Sequence, residues 1–469
     1  MEDSIIKSLR SQATSAKVAL DGFPWLLATV LYTLSWGWSL LRPNTLYWDD
    51  WAYIYNKPKS YLNQIFVDTG LPPWRALIDQ ELIAVGYWTI PVLTFLMFFT
   101  SSLFLFLILK RFELINTEQI KIAILIALVL PVNHSRISLQ MFGYTTSYFL
   151  FFLAWMLLLN HRKRMQFGVS VFLFFWSFMT HSFLFFYLLP VAHYLFLKKS
   201  DFKLKQFRSF LTSKVIVLFA LPFFYYILRN FFWSPTETYE GYHKFTIDGT
   251  RRGLIFFAIG MSLVVPIVYL LKAERISKKT MVVPLIGWAI FAWGLFPYFV
   301  NQSLPNMISV FAFRADWGSR DLLLTPLGAG LLLSGLALLF SKSFKTVFVN
   351  ASLFIFVVCN LFFGSQYFID SNKKEQLVQL FQNTDLPIEN KNIIFIDETK
   401  IFNGRNSTYR NTELIALVEM SGTKLESISG KITCEEVSNG IQLTLMSKKS
   451  YLRALASRDL ELYFETQEC

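Results

Sequence analysis

Apolar residues in this chain run in long blocks, and polar residues gather in the short gaps between them. About 20 consecutive apolar residues let a helix cross a bilayer. On that pattern eleven spans are predicted, at 22–41, 86–109, 119–137, 141–159, 166–181, 182–197, 215–233, 253–271, 281–300, 321–340 and 346–364. The stretch 166–197 is short for two spans, so a tight hairpin turning at His181-Ser182 is expected there. Two regions break the pattern: a loop at 42–85 and the tail at 365–469. In the tail, Leu377, Leu380 and Phe381 follow helical spacing. Asn392-Ile-Ile-Phe-Ile-Asp397 reads as a buried strand, and Ile441-Gln-Leu-Thr-Leu445 alternates like a half-buried one. The expected fold is an all-α polytopic membrane protein over residues 1–364, followed by a small C-terminal α/β extracytoplasmic domain at 365–469.

Composition agrees. Of 469 residues 54% are hydrophobic and only 16% charged, below the share usual in soluble domains. The net charge of +12 would suit nucleic acid, but its placement argues otherwise. The N-terminal segment and the loops at 110–121, 160–166, 198–214, 272–280 and 341–345 hold 21 Lys and Arg. The intervening loops hold about half as many, which predicts a cytoplasmic N-terminus and an exported tail, with no nucleic-acid partner. The first apolar run is too long and too aromatic for a cleaved signal peptide. Cys434 and Cys469 both fall in the exported tail, where a disulfide is permitted. Richness in Lys, Asn, Ile and Phe points to an AT-rich bacterial genome, and so to a bacterial cytoplasmic membrane.

The candidate chemistry starts with Trp48-Asp49-Asp50-Trp51, just beyond the first span. Adjacent carboxylates at a membrane surface are costly and hard to explain as packing. Read as a helix, Trp48, Trp51, Ala52 and Tyr55 form a face for the membrane interface, while Asp49, Tyr53 and Asn56 face away from lipid. Asp50 lies about 100° round from Asp49, so one carboxylate is expected to face a cavity and the other to hydrogen-bond or bind an ion. Desolvation and a like-charged neighbour raise a carboxylate's pKa, which suits a base acting on an acceptor hydroxyl. Asp49 is the favoured base, because it shares its face with Tyr53. The competing reading is an interfacial helix whose acids cap its first turn.

A second constellation is Phe311-Ala-Phe-Arg-Ala-Asp-Trp-Gly-Ser-Arg-Asp321, before the tenth span. Arg314 and Arg320 could hold a lipid phosphate, with Asp316 and Trp317 between them. They could equally anchor the span, paired with Asp316 or Asp321. Arg75, Arg251 and Arg252 read as anchors, and Asp79 and Glu81 as capping or solvated acids. His134 and His181 have no second ligand at metal spacing. Cofactors stay unassigned, with a divalent cation at the carboxylates as the one candidate. The chain has no Gly-rich phosphate loop, HExxH or GxSxG, which argues against an ATP-driven pump and against a zinc or serine hydrolase.

A short cytoplasmic N-terminus, one span and an outside loop opening with Trp48-Asp49-Asp50 resemble the GT-C class of polytopic glycosyltransferases. Leu130-Pro-Val-Asn-His-Ser135 is also similar, as is Met179-Thr-His-Ser-Phe-Leu-Phe-Phe-Tyr-Leu-Leu-Pro190, although Ser182 stands where an acid is common. The resemblance implies a donor sugar on a polyprenyl phosphate and an acceptor hydroxyl on a glycan, lipid or protein. It implies Asp49 or Asp50 as the base and Arg314 or Arg320 as the stabiliser of the departing phosphate. The alternatives are a transporter or flippase of lipid-linked glycans, which would carry charges at mid-membrane, and a polymerase of such glycans.

Overall fold

The computed structural model describes residues 20–468 except 49, 52–58, 113, 161–163, 199–212, 241–245, 271–277, 302–316, 384–391, 400–408, 410, 423–426, 430–439 and 450–459. The chain is mostly helical, with a four-stranded sheet near its C-terminus. Among the described residues, six helices are long and apolar enough to cross a membrane: Thr89–Leu109, Leu139–Asn160, Lys214–Phe232, Ile247–Leu270, Met281–Val300 and Lys342–Asn383. Their outer faces leave large apolar side chains uncovered, among them Phe223 at 72% and Phe354 at 69% exposure. Such faces are costly in water and natural in lipid.

The other five predicted spans correspond to shorter elements: Trp25–Trp36, Thr117–Val129, Arg164–Ser177, the pair Ser182–Phe186 and Leu188–Lys198, and Thr325–Ala337. Thr117–Val129 shows why block length overshoots. Asn116 caps its start by accepting from the Gln119 N–H at 2.9 Å. Pro131 ends it by pushing Leu130 into an extended conformation, with ψ 127°. The helix-end carbonyls find side-chain donors instead: Trp36 Nε1 donates to Leu128 O at 3.2 Å, and Asn360 Nδ2 to Val129 O at 2.7 Å. Asn133 then turns the chain in the left-handed region, with φ 55°, into the 3-10 turns His134–Ile137 and Leu139–Met141. What reads as the end of a span at 137 is therefore a buried polar turn.

Near residue 181 the chain turns between helix Arg164–Ser177 and the short helices Ser182–Phe186 and Leu188–Lys198. Phe174 and Phe178 meet the ring of Tyr187 at 4.9 and 5.1 Å, so the chain folds back between them. Helices Lys278–Val300 and Thr325–Ala337 pack backbone against backbone. A Cβ on Gly287 would lie 2.2 Å from Leu332 N, and one on Gly328 2.2 Å from Phe291 N. Small residues allow this approach where lipid supplies no hydrophobic drive.

Helix Lys342–Asn383 has 42 residues, about 63 Å of length. It runs unbroken through residues 364 and 365, where the membrane part was expected to give way to the tail. The helical spacing read at 371–383 is its far end, where Leu377 and Phe381 are buried against the sheet. Strands β1 (Asn392–Asp397), β2 (Ser427–Ser429), β3 (Gly440–Ser447) and β4 (Leu462–Glu468) lie in the order β2-β1-β3-β4. β1 is parallel to β2 and β3, and β4 is antiparallel to β3. Ile393 pairs with Ile441 and Phe395 with Leu443, and these buried residues meet Leu414 and Leu417 of helix Asn411–Met420. Cys434 and Cys469 lie outside the described residues, and so does any bridge between them.

Candidate functional site

Three segments distant in sequence meet at the start of the first loop: residues 46–48 with 50 and 51, the polar turn at 133–141 and the turn Trp317–Leu322. The first is organised by Asp50, which is fully buried. Its Oδ1 accepts from Ser138 Oγ at 2.6 Å and from the Gln140 N–H at 3.1 Å. Its Oδ2 accepts from the Tyr47 N–H at 3.0 Å. Burial pushes the Asp50 carboxyl up from 3.8 to about 6, against the opposing pull of those donors. Asp50 thus ties the first loop to the polar turn through both of its carboxylate oxygens. Asp49 and Tyr53 lie outside the described residues.

Trp48 departs from the helical reading. Its φ is 51°, a left-handed conformation rare for a bulky residue, and its ring is 4% exposed. It packs edge-on against Trp317, with centroids 5.1 Å apart, and against Tyr367 at 5.5 Å. Trp51 is also buried, in a cluster with Leu46, Ile90, Leu139 and Phe142. The interfacial face expected for these two tryptophans is corrected: both are inside the protein. The helical wheel lost its phase because residue 48 is not helical, and a backbone held there needs support from its surroundings. The rings of Trp317 and Tyr367 supply it.

From the other side, Ser135 N–H donates to Ser319 Oγ at 3.1 Å, so the Trp317 turn rests on the same polar turn that holds Asp50. Arg320 lies 4.9 Å from the Trp317 ring and pairs with Asp321 at 3.7 Å. Part of its charge is therefore met by its neighbour, as in the anchoring alternative. Arg314 and Asp316 lie outside the described residues. The other candidates are elsewhere: Arg75 and Asp79 form a buried pair at 2.8 Å, and Arg251 and Arg252 are exposed. His134 packs against Phe363 with ring centroids 3.8 Å apart and the planes tilted by 40°. Among the described residues, no group of three or more His, Cys, Asp or Glu could hold a metal ion.

Two features escaped the sequence reading. One is a cleft of about 210 Å³ between the first loop and the long helix, lined by Trp38, Arg42, Tyr47, Ile137, Gly364 and Phe368. Arg42 at its rim donates to Ser371 Oγ at 3.0 Å and pairs with Glu375 at 2.9 Å. The other is a charged joint between the loop and the C-terminal domain. Lys374 donates to Leu46 O at 3.3 Å and pairs with Asp370 at 3.0 Å and Glu413 at 2.9 Å, and Lys373 pairs with Asp397. The signal was present, as adjacent lysines three and four residues after Asp370 on a helix, but their burial was not legible. No family model matches the chain, and no curated protein is similar to it in sequence.

Proposed function

We propose that the chain is a membrane glycosyltransferase of the GT-C kind, moving a sugar from a polyprenyl phosphate to a hydroxyl on a glycan, lipid or protein outside the cytoplasm. One observation carries the reading: Trp48 meets Trp317 at 5.1 Å, which joins the acidic first loop to the turn bearing Arg320. Sugar transfer needs both ends of that juxtaposition, a base for the acceptor and a cation for the leaving phosphate. The acceptor oxygen attacks the sugar's anomeric carbon and gives its proton to a carboxylate, while the phosphate leaves with the electron pair of the broken C–O bond. Asp49 is the base in this reading. Asp50, saturated by three donors, positions the loop. Arg320, with Arg314, stabilises the phosphate, and the mostly apolar cleft beside Tyr47 suits the lipid next to it. The accompanying topology is eleven crossings with the N-terminus inside and the tail outside, in a bacterial cytoplasmic membrane.

The test is transfer of labelled sugar from several polyprenyl-phosphate donors by the protein reconstituted in liposomes. Asp49→Asn should lose transfer, and Asp50→Asn should lose much of it through loop position. Transfer that survives both changes and their combination overturns the base assignment. A parent that moves lipid-linked glycan across the bilayer without transferring sugar is a flippase instead, and one that lengthens the glycan on its lipid is a polymerase.

A further inference from the structure

Arg136 lies in the polar turn but has no part in the reaction above. It is 8% exposed, and among the described residues no carboxylate pairs with it. Its Nε donates to Asn133 O at 3.2 Å and its Nη2 to Val132 O at 3.5 Å. Its Cζ sits 3.2 Å from the Trp36 ring and 4.4 Å from that of Phe98. Carbonyl dipoles and ring quadrupoles soften the burial of a guanidinium, but they leave its charge uncancelled. A buried cation among apolar helices calls for a partner.

The partner has a place. Arg136 lines a cavity of about 30 Å³ together with Tyr32, Tyr148, Asn133, Phe98 and Leu128. Tyr32 donates its hydroxyl proton to Phe95 O at 2.8 Å, and its oxygen accepts from Arg136. The Tyr148 hydroxyl has no hydrogen-bond partner among the described residues, although the residue is only 5% exposed. A fixed cation and an unused hydroxyl donor therefore border one small space, and no carboxylate does. We propose that Arg136 and Tyr148 hold a compact monovalent anion of halide size in this cavity. Size excludes a larger guest: one water needs about 10–15 Å³ on the same measure, so the space is worth about two waters. A phosphate carrying a sugar or lipid does not fit.

The experiment is thermal unfolding of the purified full chain in detergent, with chloride or bromide replacing gluconate at constant ionic strength. The expected result is a saturable rise in the unfolding midpoint with either halide. Tyr148→Phe keeps the ring and removes only the hydroxyl, and should weaken the apparent halide affinity about tenfold. Arg136→Gln, if it folds, should abolish the effect. Crystals soaked in bromide should show an anomalous peak in the cavity. The proposal is overturned if the midpoint is indifferent to halide, or if Tyr148→Phe responds like the parent. It is also overturned if inorganic phosphate stabilises the protein while chloride and bromide do not, or if the cavity holds only water in bromide. Loss of sugar transfer has no bearing on any of these outcomes.

Discussion

Asp50→Asn tests the organisation of the first loop through the sign of a pH effect. Burial raises the Asp50 carboxyl from 3.8 to about 6, so the folded chain keeps this proton to higher pH than the unfolded chain does. The stability this contributes is fully present below about pH 4 and is lost as pH rises through about 6. Between pH 7 and pH 5 the folded parent gains about 1.4 kcal/mol from this one group. Asparagine cannot take up the proton, so the variant lacks the gain. At pH 7 two effects oppose each other in the variant. Neutralising the side chain relieves a cost of about 3 kcal/mol, while the amide NH2 set against one of the three donors costs about 1–3 kcal/mol. The variant should therefore differ little from the parent at pH 7 and fall behind it towards pH 5. For 469 residues the gap corresponds to about 1–2 °C in unfolding midpoint. The measurement is the parent-minus-variant difference in thermal scans at matched ionic strength, which cancels acid effects common to both proteins. Parallel pH curves, or a parent that loses ground to the variant in acid, would refute the buried and hydrogen-bonded placement of Asp50. Ser138→Ala supplies the internal control: it removes a donor that holds the carboxyl down, so the gain should begin at higher pH.

Trp48→Ala removes a ring packed on Trp317 and Tyr367 and should cost about 3–5 kcal/mol, read as a lower unfolding midpoint. Lys374→Met leaves Asp370 and Glu413 buried without the cation they share, at a cost of about 3–5 kcal/mol. Limited proteolysis should then release the C-terminal domain faster than in the parent, and equal cleavage rates would remove Lys374 from the joint. Gly328→Val drives a Cβ to 2.2 Å from Phe291 N, against backbone that cannot yield. Monodisperse protein recovered from detergent should fall sharply for this variant, whereas a mutation to Val at exposed Leu263 should leave the yield unchanged.

Sequence pattern carried the fold as far as hydrophobicity reaches. Blocks of apolar residues located the helices, but their ends are set by single residues: Pro131 and left-handed Asn133 stop one helix eight residues before its predicted end at 137. β1 was legible at its observed bounds because a strand between two parallel neighbours is apolar on both faces. β4 was not, since Glu465, Gln467 and Glu468 mask an edge strand that only its pairing with β3 identifies. The site divides in the same way. Asp50, Trp48 and Trp317 stood out as residue types out of place in their surroundings. Ser138 and Gln140 look like any short polar turn, and what makes them matter is a carboxylate 88 and 90 residues away.

Asp50 is held in a way that a catalytic base is not. A base must exchange its proton with a substrate, and Asp50 gives both its oxygens to protein donors while lying out of contact with solvent. Freeing it would break the link between the first loop and the polar turn. Its neighbour in sequence on the other side of position 49, Trp48, is held just as firmly by Trp317 and Tyr367 in a backbone conformation that costs energy to maintain. Two anchors that differ in chemistry, one polar and one aromatic, flank a single residue between them. If sugar transfer depends on Asp49, then Trp48→Phe, which keeps an aromatic contact, should retain more activity than Trp48→Gly, which relaxes the backbone and removes the ring. The reverse order would mean that the left-handed turn itself, and not the aromatic clamp, is what the site requires.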